Sequence, residues 1–506
     1  MDTKGKQVII DSGISEERVA ILENNKLVEI HIERLEDRKI IGNIYKGKVM
    51  NVLPGIEAAF VDIGIDRNAF LHLNDVEQAF GKQNDKSIDV KDLIKVGQEI
   101  DVQVVKEAIA PKGARVTTNI SLPGRYLVLM PNNNGVAVSR RIEDEEEKER
   151  LKKAVQSVKK KEFGFIVRTA GVGKDETDFV PDMEILIRLW NKIQKRSQKA
   201  KAPLLLHEDL NLTYRIIRDL FTEDIDEFVV NSEKEYHKII SFLDTLFLLD
   251  LKPRVSFYTG EKPIFEEYGI EKEINRALEK KVWIKCGGYL VFDEVEALTV
   301  IDVNTGKYVG GKKMKNTVLK TNLQAAEEIA RQLRLRDIGG IIIIDFIDMD
   351  NKEDQQKVIK KLEEALKKDK TKSNIVQTTE LGLVELTRKR SKRDLDSLLR
   401  TSCPYCSGNG RVLSAETVSN QVIHKLEDLC KNSKAEAIFL GVHPKVEEEL
   451  SGSKMLLVKQ LEREYHKLIY ITSLTDIHIE KIKVIAIGRK KEIKKIVKVF
   501  QTNKIT

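Results

Sequence analysis

The chain is 506 residues long, with 41% hydrophobic and 33% charged residues and 87 Lys+Arg against 80 Asp+Glu, a net charge of +7. That composition describes a folded, soluble protein of several domains and excludes a low-complexity or disordered chain, while the small positive excess permits a nucleic-acid partner without requiring one. No apolar stretch approaches the roughly 20 residues of a membrane span, Met1–Lys6 lacks the apolar core of a signal peptide, and four cysteines in so long a chain build no disulfide framework, so a reduced, cytoplasmic protein is expected.

Gln7–Asp11, Arg18–Leu22 and Lys26–Ile32 read as a small antiparallel meander, with Asn24-Asn25 supplying the positive φ angles of a tight turn. It is too small to fold alone and must pack on something later in the chain. From about Ile40 to Ile120 short strands follow one another: Ala59, Val61 and Ile63 alternate, as do Ile100, Val102 and Val104, with Gly47, Gly55, Gly64 and Gly97 between them. That pattern suits a small closed barrel, an OB-fold. Phe60 and Phe70, with Lys106 and Lys112, are its candidates for gripping RNA, because OB-folds stack bases on exposed aromatics and track the backbone with cations. The alternative is that both Phe residues are core.

A strand from Phe163 runs into the glycine-rich loop that ends at Gly173, and Leu186, Leu189, Trp190 and Ile193 mark a helix. The polar stretch Gln194–Lys201, before Pro203, reads as a boundary. From Leu204 to about residue 280 helix and strand alternate, and this segment is expected to complete the N-terminal meander. The basic runs Lys159–Lys161 and Arg388–Arg393 read as solvated faces.

Asp302 and Asp345 carry the strongest chemical signal. Each ends a short apolar run, Leu298–Ile301 and Ile341–Ile344, of the kind found in strands buried on both faces. Between them Leu323, Ala326, Ile329, Ala330 and Leu333 repeat at helical spacing. The pattern predicts a βαβ unit; if its strands are neighbours, both carboxylates emerge at the carboxyl edge, where open α/β sheets place ligands. With Asn304 they would form a hard oxygen site suited to Mg²⁺. The alternative is that the aspartates only cap strand ends. A second helix through Val358 and Leu362 and a strand at Asn374–Thr378 extend the unit.

Cys403-Pro404-Tyr405-Cys406-Ser407-Gly408-Asn409-Gly410 holds two thiols at metal-binding spacing, half of a tetrahedral Zn²⁺ site. Either a second chain supplies the other two thiolates across a dimer axis, or His424 and Cys430, both on a predicted helix, complete the site within the chain. From Ser414 onward helix and strand alternate again, with strands at Ala437–Val442, Leu468–Ile471 and Lys483–Ile487. The eight histidines offer no metalloprotease pair or triad, and no phosphate-cradling loop is present. Chemistry therefore falls to a carboxylate-bound metal, which activates water and neutralises a phosphoryl oxygen. Beside an OB-fold, the natural substrate is a phosphodiester of single-stranded nucleic acid.

Across nearly its whole length the chain resembles the ribonuclease E/G family. The resemblance is carried by Tyr45–Val49, Glu57–Gly64, Tyr126–Pro131, Ile166–Gly171, Tyr258–Gly260 before Pro263-Ile264-Phe265, both aspartate motifs and the cysteine knuckle. It implies a mixed α+β and α/β multidomain fold. An RNase H-like subdomain is split between residues 1–36 and 204–280, with an OB-fold at 37–120 and a sensor for the RNA 5′ end at 121–203. A DNase I-like catalytic subdomain at 281–400, a zinc link at 401–413 and a small domain at 414–506 follow. It further implies a Mg²⁺-dependent endoribonuclease that cuts single-stranded, A/U-rich RNA, such as rRNA precursors and mRNA, to 5′-phosphate and 3′-hydroxyl ends. Zinc shared through Cys403 and Cys406 would join a homodimer, which could pair into a tetramer. Carried over by motif, Asp302 and Asp345 hold the metal and Asn304 assists. Gly124, Val128, Arg168 and Thr169, with Arg141 nearby, form a 5′-monophosphate pocket, and Phe60, Phe70, Lys106 and Lys112 grip the RNA. In a blander reading Arg168 braces its loop against an acid such as Asp175.

Two departures stand out. The chain ends soon after the small domain, so no scaffold tail of the family's longer members is expected. The loop Lys307–Met314 is irregular against the family pattern. Two rival readings are a non-catalytic OB-fold RNA-binding protein, which leaves the aspartates unexplained, and a metal-dependent phosphatase or DNA nuclease, which leaves the OB-fold idle.

Overall fold

The computed structural model describes residues 5–34, 40–80, 94–107, 113–221, 224–306, 314–379, 382–390, 393–452 and 454–502. The chain divides into two compact units, Met1–Asp396 and Ser397–Thr506.

In the first unit, Lys6–Ser12, Glu16–Glu23 and Lys26–Arg34 form an antiparallel meander, and Asn24 and Asn25 take φ angles of 50° and 61° at its tight turn. Lys6–Ser12 gains its other neighbour far downstream: Gln7–Ile10 pairs in parallel with Glu227–Val230, which in turn pairs with Val255–Phe257. Val8, Ile10, Val19 and Ile21 thereby close over Ile216, Ile217, Phe228 and Leu243.

Five strands, Ile44–Leu53, Ala58–Asp62, Ala69–His72, Arg115–Thr117 and Glu99–Lys106, form a barrel that closes where Ile44–Lys48 pairs with Glu99–Gln103. The alternating Ala59, Val61, Ile100, Val102 and Val104 fill it. Gly47 is dictated by crowding across the barrel, since a Cβ there would lie 2.4 Å from Val61. Leu204–His207 adds to the outside of this barrel beside Ile44–Lys46, not to the N-terminal sheet.

A four-stranded sheet follows, in the order Val136–Val138, Gly164–Val167, Leu127–Met130, Leu122–Pro123, packed on the helices Glu145–Val158 and Glu176–Lys199. The polar stretch after Ile193, read above as a boundary, is for the most part the end of that second helix. Its surface is polar because only Ile193 and Ser197 of those turns face inward, and Lys46 closes the helix by donating to the carbonyls of Ser197 and Ala200 at 2.8 and 3.0 Å.

The last sheet of the unit has six strands in the order Lys281–Trp283, Tyr289–Glu294, Leu298–Asn304, Gly340–Asp345, Val384–Arg388, Ser373–Thr378. Leu298–Asn304 and Gly340–Asp345 are parallel neighbours joined by the helix Met314–Arg336. That helix and Lys352–Leu366 cover one face, packing Ala326, Ile329, Leu333, Val358 and Leu362 against Leu290, Phe292, Ile301, Val303, Ile342 and Ile344. The two helices leave the opposite face of the sheet uncovered. Of the basic run that starts at Arg388, Lys389, Arg390 and Arg393 are exposed as the solvated-face reading expects, and Arg388 is the correction to it. Arg388 is only 3% exposed; its Nε donates to Asp369 at 2.7 Å, and its Nη1 to Asp337 and to the Ile338 carbonyl at 2.8 Å each.

The second unit has a three-stranded sheet, Leu468–Ser473, Ala437–Val442, Lys483–Gly488, whose central strand is buried throughout. The helices Ala415–Asn432, Pro444–Ser451, Met455–Tyr465 and Lys490–Thr502 accompany it. Among the described residues no helix is long and apolar enough to cross a membrane.

Candidate active site

Register brings the two aspartates together. Leu298–Asp302 pairs residue for residue with Ile341–Asp345, so Asp302 lies directly opposite Asp345. Thr299, Ile301 and Val303 point into the core, while Asp302 and Asp345 are exposed on the open face. Asn304 Nδ2 donates to Asp302 Oδ2 at 2.7 Å, which ties that carboxylate down, and the amide oxygen of Asn304 is a further acceptor. Burial, followed by the charges of Asp302 and Asp348, pushes the Asp345 carboxyl above its ordinary range. Like charges at a strand edge favour a cation between them. Among the described residues no three His, Cys, Asp or Glu side chains converge. Two carboxylates and one amide oxygen still fit Mg²⁺, which keeps several waters and takes few protein ligands. The irregular loop noted above begins just past Gly306, and its residues 307–313 lie outside the described residues.

On the barrel, Phe60 and Phe70 are register partners with ring centroids 6.1 Å apart and planes at 80°. Both are half-buried on the outer face, so they do not belong to the barrel core. Lys106 is exposed and pairs in register with Arg115, which also lies opposite Phe70. Lys112 lies outside the described residues.

The loop around Gly124 is built on a buried carboxylate. Asp182, 5% exposed, accepts from the backbone N–H groups of Arg125, Tyr126 and Leu127 at 3.1, 2.9 and 2.9 Å. A Cβ on Gly124 would lie 2.6 Å from Asp182 Oδ1, which explains the glycine there. Val128 pairs with Ile166 in the adjoining strand. Arg168 does not meet Asp175, which instead caps the helix Glu176–Lys199. Arg168 Nη1 donates to the Gly124 carbonyl and to Asp219 Oδ1, the latter at 2.7 Å. Burial raises the Asp219 carboxyl, but Arg218 and Arg168 outweigh it and hold the group below the usual carboxylate range. Nε and Nη2 of Arg168 have no protein partner among the described residues. Thr169 follows directly. Arg141 is exposed three residues past Val138, whose strand runs parallel to the one ending at Val167, so Arg141 and Arg168 leave the same edge of the sheet.

In the knuckle, the Ser407, Gly408 and Gly410 φ angles of 50°, 84° and 67° wrap the backbone, and Gly410 N–H donates to Cys406 Sγ at 3.2 Å. The N–H groups of Cys406 and Tyr405, with the Cys406 thiol, lower the Cys403 thiol from its ordinary range, as a thiolate ligand requires. Tyr405 anchors the turn with its ring 4.2 Å from that of His478, the planes tilted by 42°. Cys430 is 3% exposed in the core with Val422 and Leu426, His424 is exposed, and neither joins the two thiols.

Comparison with known proteins places these features in one lineage. Residues 121–391 match the model of the Ribonuclease E/G family. Residues 38–116 match the S1 RNA binding domain, and residues 402–487 match the RNase E/G, Thioredoxin-like domain. Ribonuclease G of Escherichia coli (strain K12) is 41% identical over 462 residues, covering 90% of this chain and 94% of that protein. The chain belongs to the Ribonuclease E/G family. Ribonuclease G of Haemophilus influenzae is 42% identical over 442 residues, covering 86% and 90%. Ribonuclease E of Escherichia coli (strain K12) is 37% identical over 463 residues, 90% of this chain but 44% of that longer protein.

For a Ribonuclease E/G member, the site holds several residues that sequence reasoning missed. The S1 barrel adds His72, whose ring lies 6.5 Å from Phe70 on the same face, and Arg115. The period of two from Phe70 was the available signal for His72. Asp219 and Asp182 support the Arg168 loop; only Asp182 left a trace, as a lone acid on the apolar face formed by Phe179, Met183 and Leu186.

Proposed function

We propose that this chain hydrolyses phosphodiester bonds within single-stranded, A/U-rich RNA in RNA processing and decay, with Mg²⁺ at Asp302 and Asp345, leaving 5′-phosphate and 3′-hydroxyl ends. That it is an endoribonuclease follows from its family; the pairing of Asp302 with Asp345, braced by Asn304, is the observation that supports the metal-bound cleavage site, while the substrate and end preferences are what the family resemblance implies. A bound Mg²⁺ supplies an activated water and offsets charge on the phosphoryl oxygens. Asp302 and Asp345 would hold it at the strand ends, with Asn304 steadying Asp302 through its hydrogen bond. Phe60 and Phe70 stack bases while Lys106 and Lys112 follow the backbone. In this reading the N-terminal sheet is RNase H-like, residues 121–203 sense the 5′ end, the six-stranded unit is DNase I-like, and the protein works in the cytoplasm. Mg²⁺-dependent cleavage of a short fluorescent RNA, with the matching DNA uncut, is the expected result. Cleavage of both, or of neither, overturns the reading.

Gly124, Val128, Arg141, Arg168 and Thr169 form the pocket for a 5′-monophosphate. Asp219 and the Gly124 carbonyl orient the Arg168 guanidinium from one side, which leaves its other donors to make charge-assisted bonds to the phosphate. RNA with a 5′-monophosphate is therefore expected to be cut faster than the same RNA with a 5′-hydroxyl. Arg168→Ala should erase most of that difference while still cutting RNA bound through internal single-stranded segments. Rates for both RNAs with both proteins decide it; an unchanged preference in the variant places the pocket elsewhere.

Cys403 and Cys406 supply half of a tetrahedral Zn²⁺ site, and the same pair from a second chain completes it in a homodimer. Cys403→Ser with Cys406→Ser is expected to lose zinc and halve the mass measured by light scattering. An unchanged mass rules out a zinc-bridged dimer.

A further inference from the structure

The open face of the six-stranded sheet carries more than the carboxylates. Strand register lays out two rows across it. One runs Lys281, Val291, Asp302, Asp345, and the other Trp283, Tyr289, Asn304. The intervening Val282, Leu290, Ile301 and Val303 are buried against the helices, so both rows share the uncovered face. Trp283 is 56% exposed. Its ring centroid lies 5.3 Å from that of Tyr289, the planes tilted by 59°. The Lys281 ammonium sits 3.5 Å from the Tyr289 centroid and 4.4 Å from that of Trp283, and Lys281 has no ion-pair partner among the described residues. Tyr289 is one strand from Asn304, and Trp283 is two, about 10 Å by ordinary strand spacing.

An indole left more than half exposed is a cost to a soluble protein unless something covers it. Here it lies in line with a candidate metal site and beside an ammonium that has no carboxylate partner among the described residues. A nucleobase covers such a surface well, because stacking needs only a π-face and the neighbouring phosphate meets the ammonium. We propose that Trp283, Tyr289 and Lys281 form a stacking shelf for an RNA base beside the scissile phosphate, on the side of the site toward the sheet edge. The shelf rests on the reading of Asp302, Asn304 and Asp345 as the cleavage site. It holds the strand by a base next to the reacting bond, whereas the S1 barrel grips it elsewhere.

The chain has only two tryptophans. Trp190 is 5% exposed in another core, so Trp190→Phe leaves Trp283 as the sole reporter. The full chain carrying Trp190→Phe and Asp345→Asn, the latter to stop turnover, is titrated with a single-stranded A/U-rich RNA in Mg²⁺. Binding is followed separately by anisotropy of a label on the RNA. The expected result is quenching of Trp283 emission with the same Kd as the anisotropy change. In the active chain, Trp283→Leu is expected to raise KM about tenfold, the scale of one stacked base, with the loss falling on KM rather than kcat. Trp283→Phe should recover most of it. An abasic residue at one position near the cut should cost the parent about tenfold and the Trp283→Leu variant little. Unquenched Trp283 with full anisotropy binding, or an abasic penalty equal in both proteins, overturns the shelf. An Asp345→Asn chain that cuts at the parental rate overturns the cleavage-site reading instead.

Discussion

Asp302→Asn or Asp345→Asn is expected to slow RNA cleavage by at least about 100-fold, the low end for loss of a key catalytic group, while RNA affinity stays nearly unchanged. Each substitution keeps the shape of the side chain and removes one negative charge from a pair that faces across adjoining strands. The grip on RNA proposed for Phe60, Phe70 and their neighbours lies on other elements and would be untouched. Asp302→Asn also disturbs the bond from Asn304, so it should be the harder of the two to rescue with added Mg²⁺. Cleavage rates across a Mg²⁺ series, beside anisotropy binding curves, provide the check. Full activity in either variant would remove the metal site from this sheet edge.

Arg388→Met is expected to destabilise the first unit by about 3–5 kcal/mol, the usual cost of leaving buried charges without their partner. The Arg388 side chain is 2% exposed, and the Asp337 and Asp369 side chains that it joins are 10% and 5% exposed. The Met side chain fills most of the volume but takes the guanidinium charge away from both carboxylates and a donor away from the Ile338 carbonyl, and the neutral Thr371 N–H that Asp369 also accepts cannot replace that charge. Arg388→Lys should recover only part of the loss, because one ammonium cannot reproduce the fork that serves Asp369 through Nε and the other two acceptors through Nη1. Urea unfolding of the full chain, followed by a probe in the first unit, measures it. A midpoint equal to that of the parent would show that the network contributes little.

What could be read from the sequence depended on whether the deciding contact is local. Asn24-Asn25 forms its turn within four residues, and the apolar runs before Asp302 and Asp345 end at the carboxylates themselves, so both were visible. The pairing that sets Asp302 opposite Asp345 was only conditional until the strands were seen as neighbours. Arg388 misled because a charge in a basic run reads as solvated, and its partners lie 51 and 19 residues earlier in the chain. The strand Val384–Arg388 hid for a related reason: Glu385 and Thr387 break its apolar character, and it enters the sheet between two strands that precede it. Asp219 could not be seen beside Arg168, being 51 residues away on a helix. Trp283 and Tyr289 passed unnoticed because an aromatic at a strand edge carries no signal until the register shows which face it shares.

The parallel pairing of Lys6–Ser12 with Glu227–Val230 spans 220 residues, and that separation sets an order of events during synthesis. At roughly 5–20 residues per second, the first strand waits on the order of 10 to 45 s for its partner to emerge. Throughout that interval one edge of the meander is unpaired, the condition in which strands recruit wrong neighbours. The S1 barrel, with strands drawn from residues 44–117, can close long before. The nascent chain therefore matures from the inside out: the inserted barrel is finished while the sheet that precedes it is still open, and its first three strands depend on chaperones or on their own charged outer residues until the ribosome delivers Glu227.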